Sequence, residues 1–285
     1  HTTRPKYLVF ADDPCRPAYV VQFGPGEQMQ RTHHALEQLH ARVGEVVPRS
    51  VLCTAVGGGE YVHIQTGLDG LPWFRVADRC RSRGDWLDLL HRSLAVLSRL
   101  QVAIGAVPEW TGYVRPAREL RARVRATGEI QGEAARVAAE WADALDVLGP
   151  VPAAHCHGDF SINNLLIGNS QVGIIDFDEF GDTMMPLHDE IGLALSLPLS
   201  QHGVCPLSVS ESLELCLAHA IARGAAPTGA VPGLVLHHLL WRIDRCRELP
   251  ARAGLQATLT RYMGELLAGQ LPLPVGDCLI PTISR

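Results

Sequence analysis

The chain has 285 residues, 47% hydrophobic and 19% charged, a balance that excludes a disordered polymer and allows one large domain or two lobes. Lys plus Arg is 25 and Asp plus Glu is 30, so the net charge of −5 speaks against a general nucleic-acid binder or a polybasic membrane binder. No apolar run approaches the roughly 20 residues of a membrane span, and no charged-then-apolar leader is visible. Lys6 to Phe10 reads as a short strand, Asp12-Asp13-Pro14 as a turn and Ala18 to Phe23 as a second strand. Glu27 to Val43 has helical spacing, with Met29, Ala35, Leu36 and Leu39 on one stripe. Val51 to Val56, the Gly57-Gly58-Gly59 turn and Tyr61 to Ile64 read as a hairpin. From about Asp69 the pattern turns helical. Asp85 is expected to cap a helix carrying Trp86, Leu90, Leu94, Leu97 and Leu100, and a second helix is expected over Glu129 to Leu148. Further helices are expected over Leu187–Leu197, Val209–Arg223, Val231–Cys246 and Leu255–Leu267. The fold class that follows is α+β, with a small antiparallel-sheet lobe over residues 1–68 and a larger, mainly helical lobe over residues 69–285. The 8 cysteines form no C-x-x-C pair and lie at irregular intervals, the usage of a reduced, cytoplasmic protein.

The chemistry is concentrated between Ala154 and Leu197. Leu165–Ile167 and Val172–Ile175 are short apolar runs separated by Gly168-Asn169-Ser170-Gln171, and they should pair as an antiparallel hairpin. Asn164 enters one strand and Asp176 leaves the other at the same open end, with the strands about 4.8 Å apart. Their side-chain oxygens can therefore converge on one ion, and Asp178 is a further oxygen nearby. Hard oxygen ligands with few protein contacts suit Mg²⁺, which shares its shell with water and phosphate. Asp159 lies on the loop feeding that end and can accept a hydroxyl proton, the minimum equipment for phosphoryl transfer. Each of these residues taken singly reads as a turn former. Their joint spacing, Asp159-x4-Asn164-x11-Asp176 around a hairpin, is specific. The other motifs carry less. His155 and His157 form an H-x-H pair without zinc partners, and His33-His34 and His237-His238 read as surface or core pairs.

His157-Gly158-Asp159-Phe160-x3-Asn164 followed by Ile175-Asp176-Phe177-Asp178 resembles the catalytic motif of the aminoglycoside phosphotransferase and choline kinase-like family. Gly181-Asp182 and Asp189-Glu190-Ile191-Gly192 resemble its downstream run, and Val20-Val21-Gln22-Phe23 resembles the third strand of its small lobe. The resemblance implies a protein-kinase-like bilobal fold, ATP as donor with GTP as the alternative, and Mg²⁺. It implies Asp159 as catalytic base, Asn164 and Asp176 as metal ligands, Asp178 as a second metal or substrate contact, and His157 as the brace of the catalytic loop. Gln65, Thr66 and Leu68 should lie at the adenine-facing hinge, and Asp189 should accept from the loop's backbone.

Two positions depart from that pattern. The family expects a Lys where this chain has Gln22, and the Glu that would pair with it falls at Thr32, His33 or His34. A compensating cation would have to come from elsewhere, from Arg4 or Lys6, a preceding segment or a partner chain. The usual first strand and glycine-rich loop would precede Lys6, where five residues stand. The segment 200–250 mixes Glu211, Glu214, Asp244 and Glu248 with Arg223, Arg242, Arg245 and Arg247, which selects no acceptor by charge. The expected activity is transfer of a γ-phosphoryl group to a small alcohol, an antibiotic or a peptide Ser/Thr. A pseudokinase-type binding or scaffold subunit working with a partner protein is the alternative.

Overall fold

A computed structural model of the chain describes residues 6–14, 16–169, 171–199, 205–247 and 252–273. In chain order the elements are β1 (Lys6–Phe10), β2 (Pro17–Pro25), α1 (Gly26–Val43), β3 (Ser50–Gly57), β4 (Glu60–Thr66), β5 (Leu71–Pro72), α2 (Trp73–Val76) and α3 (Arg83–Gly105). These are followed by β6 (Thr111–Val114), α4 (Pro116–Thr127), α5 (Gly132–Asp146), β7 (Val151–Ala154), β8 (Leu165–Ile167) and β9 (Val172–Ile174). The chain ends in α6 (His188–Ser196), α7 (Val209–Ala222), α8 (Val231–Arg247) and α9 (Ala253–Leu267). The class is α+β, as the patterning anticipates.

The chain forms two compact units. The first takes its described residues from His1–Thr111, Ala154–Thr183 and Ser200–Leu207, and the second from Gly112–Ala153, Met184–Leu199 and Ser208–Arg285. In the first unit, β1–β4 form an antiparallel sheet of order β1-β2-β4-β3. Helix α1 lies on it through Met29, Thr32, Ala35, Leu36 and Leu39, a three-four spacing that turns one stripe inward. The same unit holds a second sheet, of order β5-β8-β9, and the long helix α3. The second unit is built round α8, whose buried residues run from Val231 to Cys246 on nearly every side, with α4, α5, α6 and α9 packed against it. A helix apolar all round belongs at the centre of a bundle, and its neighbours need only one apolar face each.

Three local expectations are corrected. Helix α3 is capped by Ser82, not Asp85: Asp85 N donates to Ser82 Oγ (3.2 Å) while Ser82 N donates to Asp85 Oδ2 (2.8 Å). The acidic residue is thus the third position of a reciprocal capping box, which satisfies two terminal N–H groups instead of one. The helix expected over Glu129 to Leu148 is shorter, Gly132–Asp146, and Trp141 is only half-buried. Helix α4 went unread, because its buried face is little more than Ala117 and Leu120 among four arginines. Pro116 at its first turn and left-handed Gly128 at its end are the boundary signals that mark it.

Candidate active site

The site grows from the β8/β9 hairpin. Leu165 pairs with Ile174, Leu166 with Gly173 and Ile167 with Val172. Ile175 N donates to Asn164 O (3.0 Å), which carries the ladder one step past the strand ends. Asn164 and Asp176 therefore leave the hairpin at its open end, as the spacing requires. Asn164 closes a 3₁₀ turn over Ile162–Asn164, and its Nδ2 donates to the carbonyl of Asp159 at 2.8 Å. The amide nitrogen is committed to the loop that carries Asp159, and Oδ1 is the amide's acceptor atom.

His157 holds the same loop from beneath. It is fully buried, and its Nε2–H donates to Ile175 O at 3.1 Å, which fixes the tautomer because a carbonyl can only accept. Its ring packs edge-on against Phe177 (4.6 Å) and Phe160 (5.8 Å). Burial pushes its pKa below the usual histidine value. The charges of Asp159 and Asp176 and the bond to Ile175 oppose that push, so both carboxylates lie near the imidazole. Between them Gly158 takes φ +89°, and a Cβ there would run into the carbonyl oxygen of Glu179. Only glycine lets the loop carrying Asp159 approach this closely. Asp159 is 8% exposed.

Asp176 takes φ +66°, a left-handed conformation that Asp tolerates better than most residues. The kink separates its side chain from the strand direction and brings it beside Asp178. One cation serves both: Lys6 Nζ lies 2.8 Å from Asp176 Oδ1 and 3.6 Å from Asp178 Oδ2. Partial desolvation pulls the Lys6 ammonium down, but the two carboxylates outweigh it and hold its pKa above the ordinary lysine value. Asp178 titrates above the usual carboxylate range, first because it is desolvated and then because Asp176 is close; Lys6 works against both. Helix α1 reaches the same loop through Arg31, whose Nη1 lies 2.8 Å from Asp182 Oδ1 and whose Nη2 donates to Asp178 O at 3.3 Å.

The donor set fits Mg²⁺. Two carboxylates face one ammonium, which leaves an unbalanced negative charge, and buried Asp178 Oδ1 has no hydrogen-bond partner. Together with Asn164 Oδ1 these are hard oxygens. Among the described residues no group of three or more His, Cys, Asp or Glu side chains gathers as a metal site. His155 and His157 do not form one.

The remaining expected residues line the inner face and end of the four-stranded sheet. Gln22 is 5% exposed, and its Oε1 has no hydrogen-bond partner. It sits in one cross-strand row, Lys6–Gln22–His63–Cys53. His33 Nδ1 and His63 Nε2 meet Ser50 Oγ from either side, at 2.6 and 2.7 Å, so a hydrogen-bonded relay occupies the space under Gln22. Gln65 is buried in β4, and Thr66 Oγ1 accepts from Arg49 N. Thr66 N and Gly67 N donate to Arg49 O and Ala18 O, so neither N–H is left for a base at the hinge. Gly67 lies against the Pro17 carbonyl, where no Cβ fits. Leu68 is buried, with its side chain over Gly173 of β9. Asp189 is buried in the first turn of α6, in the second unit. Arg31 was missed by sequence reasoning; its position on a helix face with Glu27 and Gln28 gave no signal of a partner so distant in the chain.

The phosphotransferase enzyme family model matches residues 3–198. Among solved structures, the chain is similar to a glucosamine kinase in complex with glucosamine, ADP and inorganic phosphate. The identity is 17% and the TM-score 0.61, over 94% of this chain and 82% of that one. It is also similar to a thermostable mutant of aminoglycoside phosphotransferase APH(4)-Ia in ternary complex with AMP-PNP and hygromycin B. There the identity is 13% and the TM-score 0.57, over 94% and 93% of the two chains. Likeness at such identities speaks for the fold, which is kinase-like. No curated protein sequence matches the chain. No helix among the described residues is long and apolar enough to cross a membrane.

Proposed function

The chain belongs to the phosphotransferase enzyme family, and from that premise we propose that it moves the terminal phosphoryl group of ATP or GTP to the hydroxyl of a small acceptor molecule, with Mg²⁺. The observation that carries the reading is the arrangement round one hairpin: Asp159 on the loop, Asn164 and Asp176 at the two strand ends, stitched together by the Asn164–Asp159 and His157–Ile175 bonds. Asp159 orients the acceptor hydroxyl and takes its proton as the oxygen attacks the γ-phosphorus. The bond to the bridging oxygen breaks, and the nucleoside diphosphate leaves with the electron pair. Asn164 and Asp176 would hold the metal, with Asp178 as a further contact. When bound, Mg²⁺ would supply charge neutralisation at the phosphates. His157 stays neutral and braces the loop, so the geometry of Asp159 does not shift with the state of the substrate. Gln65, Thr66 and Leu68 bound the nucleotide end, with residues 1–68 serving as the nucleotide-side lobe and 69–285 as the acceptor-side lobe. A reducing, cytoplasmic setting is part of this proposal and rests on the irregular spacing of the cysteines.

Amino-sugar alcohols are the first acceptors to try, because the similar structures hold glucosamine and hygromycin B. A second reading, a binding or scaffold subunit working with a partner protein, is favoured by one observation: the neutral Gln22 where the family has a lysine. The deciding experiment measures Mg²⁺-dependent release of nucleoside diphosphate across a panel of amino sugars, aminoglycosides, other small alcohols and a Ser/Thr peptide. Acceptor-dependent turnover that falls about 10²- to 10⁴-fold in Asp159→Asn supports the enzyme. Nucleotide binding without turnover on any acceptor would establish the scaffold instead.

A further inference from the structure

This inference rests on the phosphotransferase reading above. Lys6 is the sole lysine of the chain; the other 24 of its 25 basic residues are arginines. Wherever this protein needs an ordinary surface cation it uses arginine, and the one compact ammonium sits on β1 with its head at the catalytic hairpin. The sheet register explains how it arrives there. Lys6 pairs directly with Gln22, so the two side chains share a face of the sheet and start about 4.5–5.5 Å apart. A cation attached at Lys6 therefore serves the same space as one attached at Gln22. Gln22 cannot supply that charge: it is neutral, buried and has an amide oxygen without a hydrogen-bond partner. On the helix side His33, Ser50 and His63 form a hydrogen-bonded relay, and the carboxylate there, Glu37, lies 3.5 Å from His33 Nε2, so it already has a partner.

We propose that Lys6 is the phosphate-binding cation of this protein, moved from the strand of Gln22 to the neighbouring strand. Without nucleotide it holds Asp176 and Asp178 together and limits their repulsion. Asp176 would then be the carboxylate that takes a metal, and the Lys6 ammonium would be free to turn to the donor's phosphate oxygens. A lysine ammonium, with an ordinary pKa of about 10.4, is charged at neutral pH. Arginine would serve less well beside the two carboxylates, because its planar fork holds a carboxylate bidentately while an ammonium is a point charge able to change partners.

The test is a calorimetric titration of ATP, ADP and adenosine, each with Mg²⁺, into the full chain, Lys6→Met and Lys6→Met/Gln22→Lys. A lost charge-assisted bond to phosphate weakens ATP and ADP by about 10- to 150-fold. Adenosine should be unaffected, and the double variant should regain most of the loss. Equal losses for all three ligands, or none, would overturn the role of Lys6 while leaving the phosphotransferase reading intact. A wild-type chain that binds neither ATP nor GTP would overturn both. A second measurement needs no variant. An amine-acylating ester can modify only the Lys6 ε-amine and the chain's α-amine, which peptide mass mapping separates. Saturating Mg²⁺–ATP should slow acylation of Lys6, and an unchanged rate with bound nucleotide would refute the assignment.

Discussion

Buried His63 makes the small sheet sensitive to acid, by an amount that follows from its surroundings. It has no exposed surface, it meets Ser50 Oγ through Nε2, and burial with the nearby His33 lowers its pKa from 6.5 to about 4. The unfolded chain takes up this proton near 6.5 and the folded protein withholds it, so between those values the unfolded state binds more protons and stability falls with pH. The stabilisation is fully present above 6.5, declines as pH drops towards 4 and is gone below it. From about pH 7.5 to about pH 5 the loss due to His63 comes to about 2 kcal/mol. His63→Gln removes the titration and keeps a polar partner for Ser50. Urea unfolding of both proteins at the two pH values, followed by tryptophan fluorescence, isolates the difference. Other buried histidines, such as His157 and His237, titrate in both proteins and cancel. The wild type should lose about 2 kcal/mol more than the variant. Identical pH dependence would mean that His63 takes up its proton as readily in the fold as in the unfolded chain, and the lowered pKa would be wrong.

Two further substitutions probe the hairpin. Asp176→Asn should keep the fold, because Asn is at ease at φ +66°, and should abolish most Mg²⁺-dependent nucleotide binding; unchanged calorimetric affinity would remove Asp176 from the metal site. Gly158→Ala forces a Cβ into the Glu179 carbonyl at φ +89°, so turnover should drop about 100-fold through displaced Asp159, with a stability cost of about 1–3 kcal/mol by thermal melting.

The catalytic hairpin was legible because its information is local. Asp159, Asn164 and Asp176 lie within one short stretch, and pairing two apolar runs across a turn is enough to bring their ends together. The long helices were legible for the same reason: Leu90, Leu94, Leu97 and Leu100 repeat within one element. What could not be read depends on partners far along the chain. Arg31 meets Asp178 and Asp182 across about half of the sequence, and no spacing rule links them. Helix α4 failed differently. Its arginines, among them Arg121 bound to Asp143 and Asp146 of α5 and Arg123 bound to Asp244 of α8, make it a charged connector with a thin apolar face. Hydrophobic periodicity is the wrong signal for such an element.

The position of Lys6 shows how small a feature can decide a site. Phe10 pairs with Pro17, but Val9 pairs with Tyr19, so the register slips by one residue at Ala18. Counting back from Phe10 and Pro17 without that slip would set Lys6 against Val21. Side chains alternate along a strand, so the ammonium would then point to the opposite face of the sheet, away from Asp176. A bulge at Ala18, on the inner strand β2, is thus what aims the only lysine, on the edge strand β1, at the carboxylates. The bulge is anchored, since Ala18 O accepts from Gly67 N at the end of β4. The N–H of Gly67 thus helps to hold the register that turns Lys6 towards the hairpin. The neutral Gln22 and the bulge that sets Lys6 opposite it thus lie on the same strand, β2.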